Sequence, residues 1–258
     1  MSWLKDRHAI VTGAAGGLGS ALCLHLLDAG CRVSAIDIDE QGLSALPATI
    51  ARECCDLTDE DAVRAAVDSL RQQNGAIDLA IANAGVTHLK NFTTGESAAV
   101  RRVMAINFFG AVHLIDATVE DLRAKSGLAV GISSVAGYAP LVGRTAYAAS
   151  KHAMHGFFDT LRLELRDDGV DVLVVCPSYI ATGIRKRYAT ETSDRQAGRV
   201  VGAEDSPDAA AAAVVSAIVQ RRRFLAVGRV GRLARLIHRF SPRLYESMML
   251  RRIRQEKA

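Results

Sequence analysis

The sequence predicts an α/β protein built on a parallel sheet with helices on both faces, and three observations carry that prediction. Short apolar runs of strand length alternate along the chain with longer stretches in which apolar residues recur at helical spacing. A glycine-rich turn stands where the first of these strands passes into the first helix. The composition, 49% hydrophobic and 23% charged over 258 residues, supplies material for a large core and argues against disorder.

His8–Thr12 reads as the first strand, and Leu18, Leu22 and Leu26 then mark a helix that Gly30 can stop. Cys31–Ile36 reads as the second strand, ending at Asp37. A short helix near Glu40–Leu46, a strand near Ile50–Cys55 and a helix from about Thr58 to Gln73 follow. Thr58 is the expected N-cap, with Asp59, Glu60 and Asp61 suiting the positive end of the helix dipole. Ile77–Ala82 reads as the fourth strand, Ala98–Lys125 as a long helix, Leu128–Ile132 as the fifth strand and Tyr147–Arg166 as another helix. Val170–Cys176 is the sixth strand, halted by Pro177. Residues 178–206 break the rhythm, being polar and charged without periodicity, and a connection of that length is expected to act as a substrate lid. Pro207–Gln220 resumes as an alanine-rich helix, and Phe224–Val227 reads as a last strand. Ile10 and Ile36 are read as ordinary core.

One domain is the expectation for this length, with residues 1–228 as a catalytic unit that includes the lid and 229–258 as an appended helical segment. The N-terminus lacks the pattern of a signal peptide, and no stretch reads as the ~20 apolar residues of a membrane span, so a cytoplasmic location is expected. The five cysteines follow no metal-ligand spacing, so no metal is expected, and adjacent Cys54 and Cys55 are read as small core residues. The formal charge of +4 is uneven. From Arg221 onward twelve Lys and Arg face only Glu246 and Glu256, which leaves the preceding chain acidic.

The loop Thr12-Gly13-Ala14-Ala15-Gly16-Gly17-Leu18-Gly19 joins a strand to a helix. Glycines there permit a tight turn and the close approach of a pyrophosphate to the helix N-terminus. A glycine-rich turn alone is weak evidence. Asp37 strengthens it, because it ends the next strand about twenty residues on, where a carboxylate can accept hydrogen bonds from an adenosine ribose. Its charge would repel the 2′-phosphate of NADP, and neither Gly16 nor Ile38 supplies a compensating cation, so NAD is the expected cofactor.

Tyr147-Ala148-Ala149-Ser150-Lys151 places a phenol and an ammonium on one face of a helix start. A nearby cation favours the phenolate, which otherwise forms only near pH ~10, and a tuned tyrosine can serve as general acid or base. That spacing is common by chance. Ser133-Ser134 changes its standing, since it ends the fifth strand at the sheet edge where ligands bind in open α/β folds.

With these residues in view the chain resembles the short-chain dehydrogenase/reductase family, from about Arg7 to Thr182. The shared features are the Thr12–Gly19 loop, Asp37, Asp56-Leu57, Asn83-Ala84-Gly85, Asn107, Ser134, Tyr147 with Lys151, and Pro177 to Thr182. The resemblance implies a Rossmann-like, doubly wound sheet of about seven strands and a hydride transfer between NAD(H) and a secondary alcohol or ketone. It implies that Tyr147 moves the proton, Ser134 holds the substrate oxygen, Lys151 binds the nicotinamide ribose, and Asn107 supports a proton relay. It further places Gly13, Gly17, Leu18, Gly19, Asp37, Asp56, Leu57, Asn83, Ala84, Gly85, Pro177, Ile180 and Thr182 along the cofactor, and implies a homodimer or homotetramer. Ser178 departs from the family's usual glycine, which puts the Thr182 assignment in question more than the catalytic one.

Other residues stay open at this level. His152 and His155 read as packing or subunit contacts, His88 as a residue near the cleft, and Tyr179 as rim packing or pocket lining. Beyond Gly228, Leu233, Leu236, Ile237 and Phe240 share the helical spacing of Arg232, Arg235 and Arg239; Leu244, Met248 and Met249 follow Pro242. The favoured reading is a helix pair packed over the protein's own cleft or a second subunit, with peripheral membrane contact not favoured and no nucleic acid expected. The expected substrate is apolar: steroid-like, terpenoid or long-chain. The alternatives are a carbonyl reductase acting on carrier-tethered acyl chains, and a non-enzymatic NAD-sensing module.

Overall fold

A computed structural model gives the fold and describes residues 3–93, 95–178, 180 and 205–255. The strands are β1 (His8–Thr12), β2 (Arg32–Asp37), β3 (Ala51–Cys54), β4 (Leu79–Ala82), β5 (Leu128–Ile132), β6 (Asp171–Pro177) and β7 (Phe224–Val227). They form one sheet in the order β3-β2-β1-β4-β5-β6-β7, with every neighbouring pair parallel. The helices are α1 (Gly17–Asp28), α2 (Glu40–Ser44), α3 (Glu60–Asn74), α4 (Ser97–Met104), α5 (Gly110–Lys125), α6 (Thr145–Glu164), α7 (Pro207–Val219), α8 (Arg229–Phe240) and α9 (Pro242–Gln255). This is the doubly wound, Rossmann-like sheet that the resemblance implied.

The alternation of side chains along each strand feeds two cores. On β1, Ala9 and Val11 join Leu22 and Leu26 of α1 and Val214 and Ile218 of α7 on one face. Ile10 joins Val67 and Leu70 of α3, Leu114 of α5 and Phe158 of α6 on the other. The order reverses at β1, whose neighbours are β2 and β4, so the loops leaving β1 and β4 open side by side at the carboxyl edge, where such sheets bind ligands. At the opposite edge the fold is fastened by a buried His8, which sequence reasoning passed over. Its ring nitrogens lie 2.7 Å from the Gly75 carbonyl oxygen and 2.8 Å from Ser34 Oγ, and burial pushes its pKa down.

Several expectations need correction. The N-cap of α3 is Asp59, whose carboxylate accepts from the Ala62 amide at 3.0 Å; the Thr58 hydroxyl is already donated to Asp56. The long helix expected over Ala98–Lys125 runs as one helical span from Ser97 to Lys125, with a π-turn at Ala105–Phe109 between α4 and α5 that the sequence did not foresee. By length and composition the whole span Ser97–Lys125 could cross a membrane, contrary to the reading that no stretch approaches one. In this fold its Val103, Asn107, Ala111, Leu114, Ile115 and Leu122 are buried. Cys54 is exposed rather than core, while burial pushes the thiols of Cys23, Cys31 and Cys176 up to about 12, as inert packing residues require. Among the described residues no cluster of metal-ligating side chains occurs.

Candidate active site

The glycine loop closes on itself. Gly13 has a φ of +67°, a region open to glycine, and a methyl group there would lie 2.7 Å from Ala84 Cα. A side chain at Gly19 would collide with the Gly13 carbonyl, so α1 packs directly on the turn. Gly16 caps α1 without a side-chain hydrogen bond, and the first turn holds no acidic residue. Its leading amides are therefore free of intrahelical partners and of any built-in anion. Thr12 fixes the loop to β4: its hydroxyl donates to Ile81 and accepts from the amides of Asn83 and Ala84 at 3.1 and 3.2 Å. Asn83 returns the contact, donating to the carbonyl oxygens of Thr12 and Gly13. The Asp37 carboxylate accepts from the amides of Ala15 and Asp39 at 2.9 and 3.0 Å, which holds it beside the loop. Asp56 accepts from both the amide and the hydroxyl of Thr58, and Leu57 is buried against Gly110.

The second group gathers around α6. Ser134 leaves β5 and Tyr147 sits in the first turn of α6, and the two side chains are hydrogen bonded. Burial raises the Tyr147 phenol above its ordinary value, while the Ser134 hydroxyl and the Arg144 guanidinium pull in the other direction. Lys151 is buried one turn on, with Nζ 5.8 Å from the centre of the tyrosine ring and donating to the Ile132 carbonyl at 2.7 Å. Desolvation lowers its pKa to about 8. Ser134 and Arg144 thus add to the tuning of Tyr147 that the sequence assigned to Lys151.

Asn107 lies in the π-turn, fully buried, and its carboxamide is wholly engaged. Oδ1 accepts from the Val86 amide at 2.7 Å, and Nδ2 donates to the Val86 carbonyl and to Ser150 Oγ at 3.0 and 2.9 Å. Ser150 in turn donates to the Tyr147 carbonyl. The side chain therefore fastens the strand-β4 loop to the helix that carries the tyrosine and lysine. Gly85 sits between them, where a methyl group would be 3.4 Å from Asn107 Oδ1 and 3.5 Å from Lys151 Nζ.

Sequence reasoning missed a clasp at the rim. Glu96 is buried between His88 Nε2 at 2.7 Å and Lys90 Nζ at 2.5 Å, and the Lys90 amide donates to Gly143 just ahead of α6. His88 is thus tied to a carboxylate rather than left facing a substrate. His155 lies 3.3 Å from Cys176 Sγ, and His152 is exposed. Pro177 ends β6, Ser178 Oγ approaches Asp205 Oδ2 at 3.5 Å, and Ile180 bridges to Asp205. Thr182, Tyr179 and most of the expected lid lie outside the described residues.

The family model described as short chain dehydrogenase matches residues 7–193. The chain belongs to the short-chain dehydrogenase family. Short-chain dehydrogenases are oxidoreductases that use a nicotinamide cofactor and a small-molecule substrate. Relatives span nearly the whole chain. Dehydrogenase/reductase SDR family member 7B of Xenopus tropicalis is 31% identical over 99% of this chain and 88% of its own length. The Anopheles gambiae dehydrogenase/reductase SDR family protein 7-like is 32% identical over 96% and 84%. The fold matches a short-chain dehydrogenase of Burkholderia cenocepacia in complex with NADP, with a TM-score of 0.83 and 23% identity over 97% of this chain and 99% of that one. It also matches one of Burkholderia phymatum in complex with NAD, at 0.81 and 22% over 93% and 95%.

The residues present fit such a cofactor. The uncapped N-terminus of α1, behind a turn in which Gly13 and Gly19 leave no room for side chains, suits a pyrophosphate, and the Asp37 carboxylate suits a ribose diol.

Proposed function

We propose that this short-chain dehydrogenase is NAD-dependent and interconverts an apolar secondary alcohol and its ketone, with Tyr147 as the acid/base. The observation that carries the reading is the convergence of Ser134 from β5 with Tyr147 and Lys151 from α6 beside the glycine loop. NAD(H), when bound, accepts or supplies the hydride. In the reductive direction the Tyr147 hydroxyl donates its proton to the carbonyl oxygen, and in oxidation the phenolate takes the proton of the alcohol. The Ser134 hydroxyl donates to the same oxygen and holds it in line. Lys151, its amine buried beside the tyrosine ring, binds the ribose hydroxyls and contributes positive charge to the site.

The choice of NAD over NADP rests on Asp37. Two backbone amides hold its carboxylate beside the glycine loop; a ribose bound there would present its 2′ position to that negative charge, which disfavours a 2′-phosphate. The apolar substrate class follows the sequence reading of residues 178–206 as a lid beside an apolar C-terminal segment; Val135 and Ala139, next to Ser134, are themselves buried against Ala234 and Tyr245.

A panel of hydrophobic secondary alcohols with NAD, followed by NADH absorbance, tests the reading. Tyr147→Phe is expected to lower kcat by roughly 10²–10⁴-fold while NADH binding, read by its fluorescence, is retained. Unchanged turnover in that variant, on a substrate the native protein converts, would sink the proposed chemistry.

A further inference from the structure

The two C-terminal helices each carry a face that the other described residues do not cover. On α8, Tyr138 Oη donates to the Gly231 carbonyl at 2.8 Å, and Ala234 packs with Val135, Ala139 and Tyr245. The guanidinium of Arg235 lies over the Phe224 ring. These contacts define the side turned to the protein. Leu233, Leu236 and Phe240 form a second stripe at helical spacing and are 56%, 56% and 77% exposed. On α9, Tyr245 and Met249 turn inward, while Leu244 and Met248 are about half exposed. Arginines accompany both stripes: Arg232, Arg239, Arg243 and Arg251 are exposed.

An apolar ridge of this extent marks a surface that meets something other than water. Its charge selects the occupant. From Arg229 to the C-terminus nine Lys and Arg oppose two Glu. A second copy seated on the same face would bring two basic surfaces together, because a twofold contact pairs each patch with itself. A bilayer with anionic headgroups accommodates both features at once, taking the leucines and Phe240 into its acyl boundary and pairing its phosphates with the arginines. We propose that α8 and α9 are a docking surface for an anionic lipid bilayer. The sequence alone favoured packing over the protein's own cleft or onto a second subunit; packing against the protein consumes only one side of each helix.

Sedimentation with vesicles tests this. The protein is expected to pellet with phosphatidylcholine vesicles containing about a third phosphatidylglycerol, and to stay in solution with phosphatidylcholine alone or at high salt. The double variant Leu236→Glu/Phe240→Glu should lose the anionic-vesicle binding, and Arg232→Gln/Arg239→Gln should weaken it roughly 25-fold, about fivefold for each arginine. All four side chains are exposed, so thermal melts should match the parent. As a readout independent of disruptive changes, Phe240→Trp should shift its emission to the blue on adding the anionic vesicles, with Trp3 as the internal reference. Absence of sedimentation, undiminished binding by the Leu236/Phe240 variant, or no emission shift overturns the proposal. So does a concentration-dependent dimer abolished by Phe240→Glu, which would assign the face to a second copy. Binding of polyglutamate without vesicle binding would assign it to an acidic protein and overturn it as well.

Discussion

Two residues at the centre of the site make opposing contributions to stability and activity. Burial lowers the Lys151 pKa to about 8, so folding holds an ammonium where it is poorly solvated. Below pH 8 the lysine is protonated in both states. Between about 8 and its unfolded value near 10.4 the unfolded chain binds more protons, and stability rises with pH. At pH 7 Lys151→Met is therefore expected to stabilise the protein by about 1–3 kcal/mol, with the gain vanishing above about pH 10; paired denaturant melts at the two pH values would show it. The same change should abolish turnover. Ser134 affects the tyrosine through the hydrogen bond that opposes the effect of burial. Since alcohol oxidation needs the phenolate, Ser134→Ala should leave a residual rate whose rising limb moves to higher pH. A pH–rate profile with an unmoved or lowered limb would show that Ser134 does not tune Tyr147. These effects belong to neighbours brought together by folding, which is why the Tyr147 and Lys151 spacing alone could not weigh them.

Among the elements, those bounded by turn-formers were the most legible. β5 and β7 occupy Leu128–Ile132 and Phe224–Val227, as the apolar runs indicate. The start of α3 was misplaced because Thr58 and Asp59 are both good caps, and the choice lies with Asp56, which takes the Thr58 hydroxyl. The π-turn at Ala105–Phe109 was illegible for a different reason. Its residues fit a helix, and the widening accompanies a tertiary bond from Asn107 to Val86 that no local pattern encodes. The helical period of the C-terminal segment was readable, but not which side would face the protein. Packing also explains glycines that no turn requires. On β5 a methyl group at Gly131 would lie 2.6 Å from Phe158 Cε2. Gly131→Ala is expected to cost about 1–3 kcal/mol by overpacking, and the Gly131→Ala/Phe158→Leu pair should cost less than the sum of its parts. Additivity in urea melts would mean that the ring is not what the methyl meets.

For the whole molecule, the reversal of strand order at β1 puts the Asp37 loop and the Tyr147 helix at one edge of one sheet, so a bound dinucleotide would span both halves. Saturating NAD should then raise the unfolding temperature of the entire fold in one transition. At about 100 times its Kd the gain is ~2.7 kcal/mol, or roughly 5–10 °C. NADP at equal concentration should give less, and Asp37→Asn should narrow the difference; an equal shift from both nucleotides in the native protein would undo the cofactor assignment. One small feature constrains the molecule at this scale. Gly228 opens α8 with a φ of +83°, and a methyl group there would lie 2.5 Å from Ser178 Oγ and 2.6 Å from Asp205 Oδ2. The exit of β6, the return of the chain at Asp205 and the root of the C-terminal helices thus converge on one residue without room for a side chain. The C-terminal segment is consequently not modular: transplanting it onto another member of the family would require carrying Ser178, Asp205 and Gly228 with it as a set.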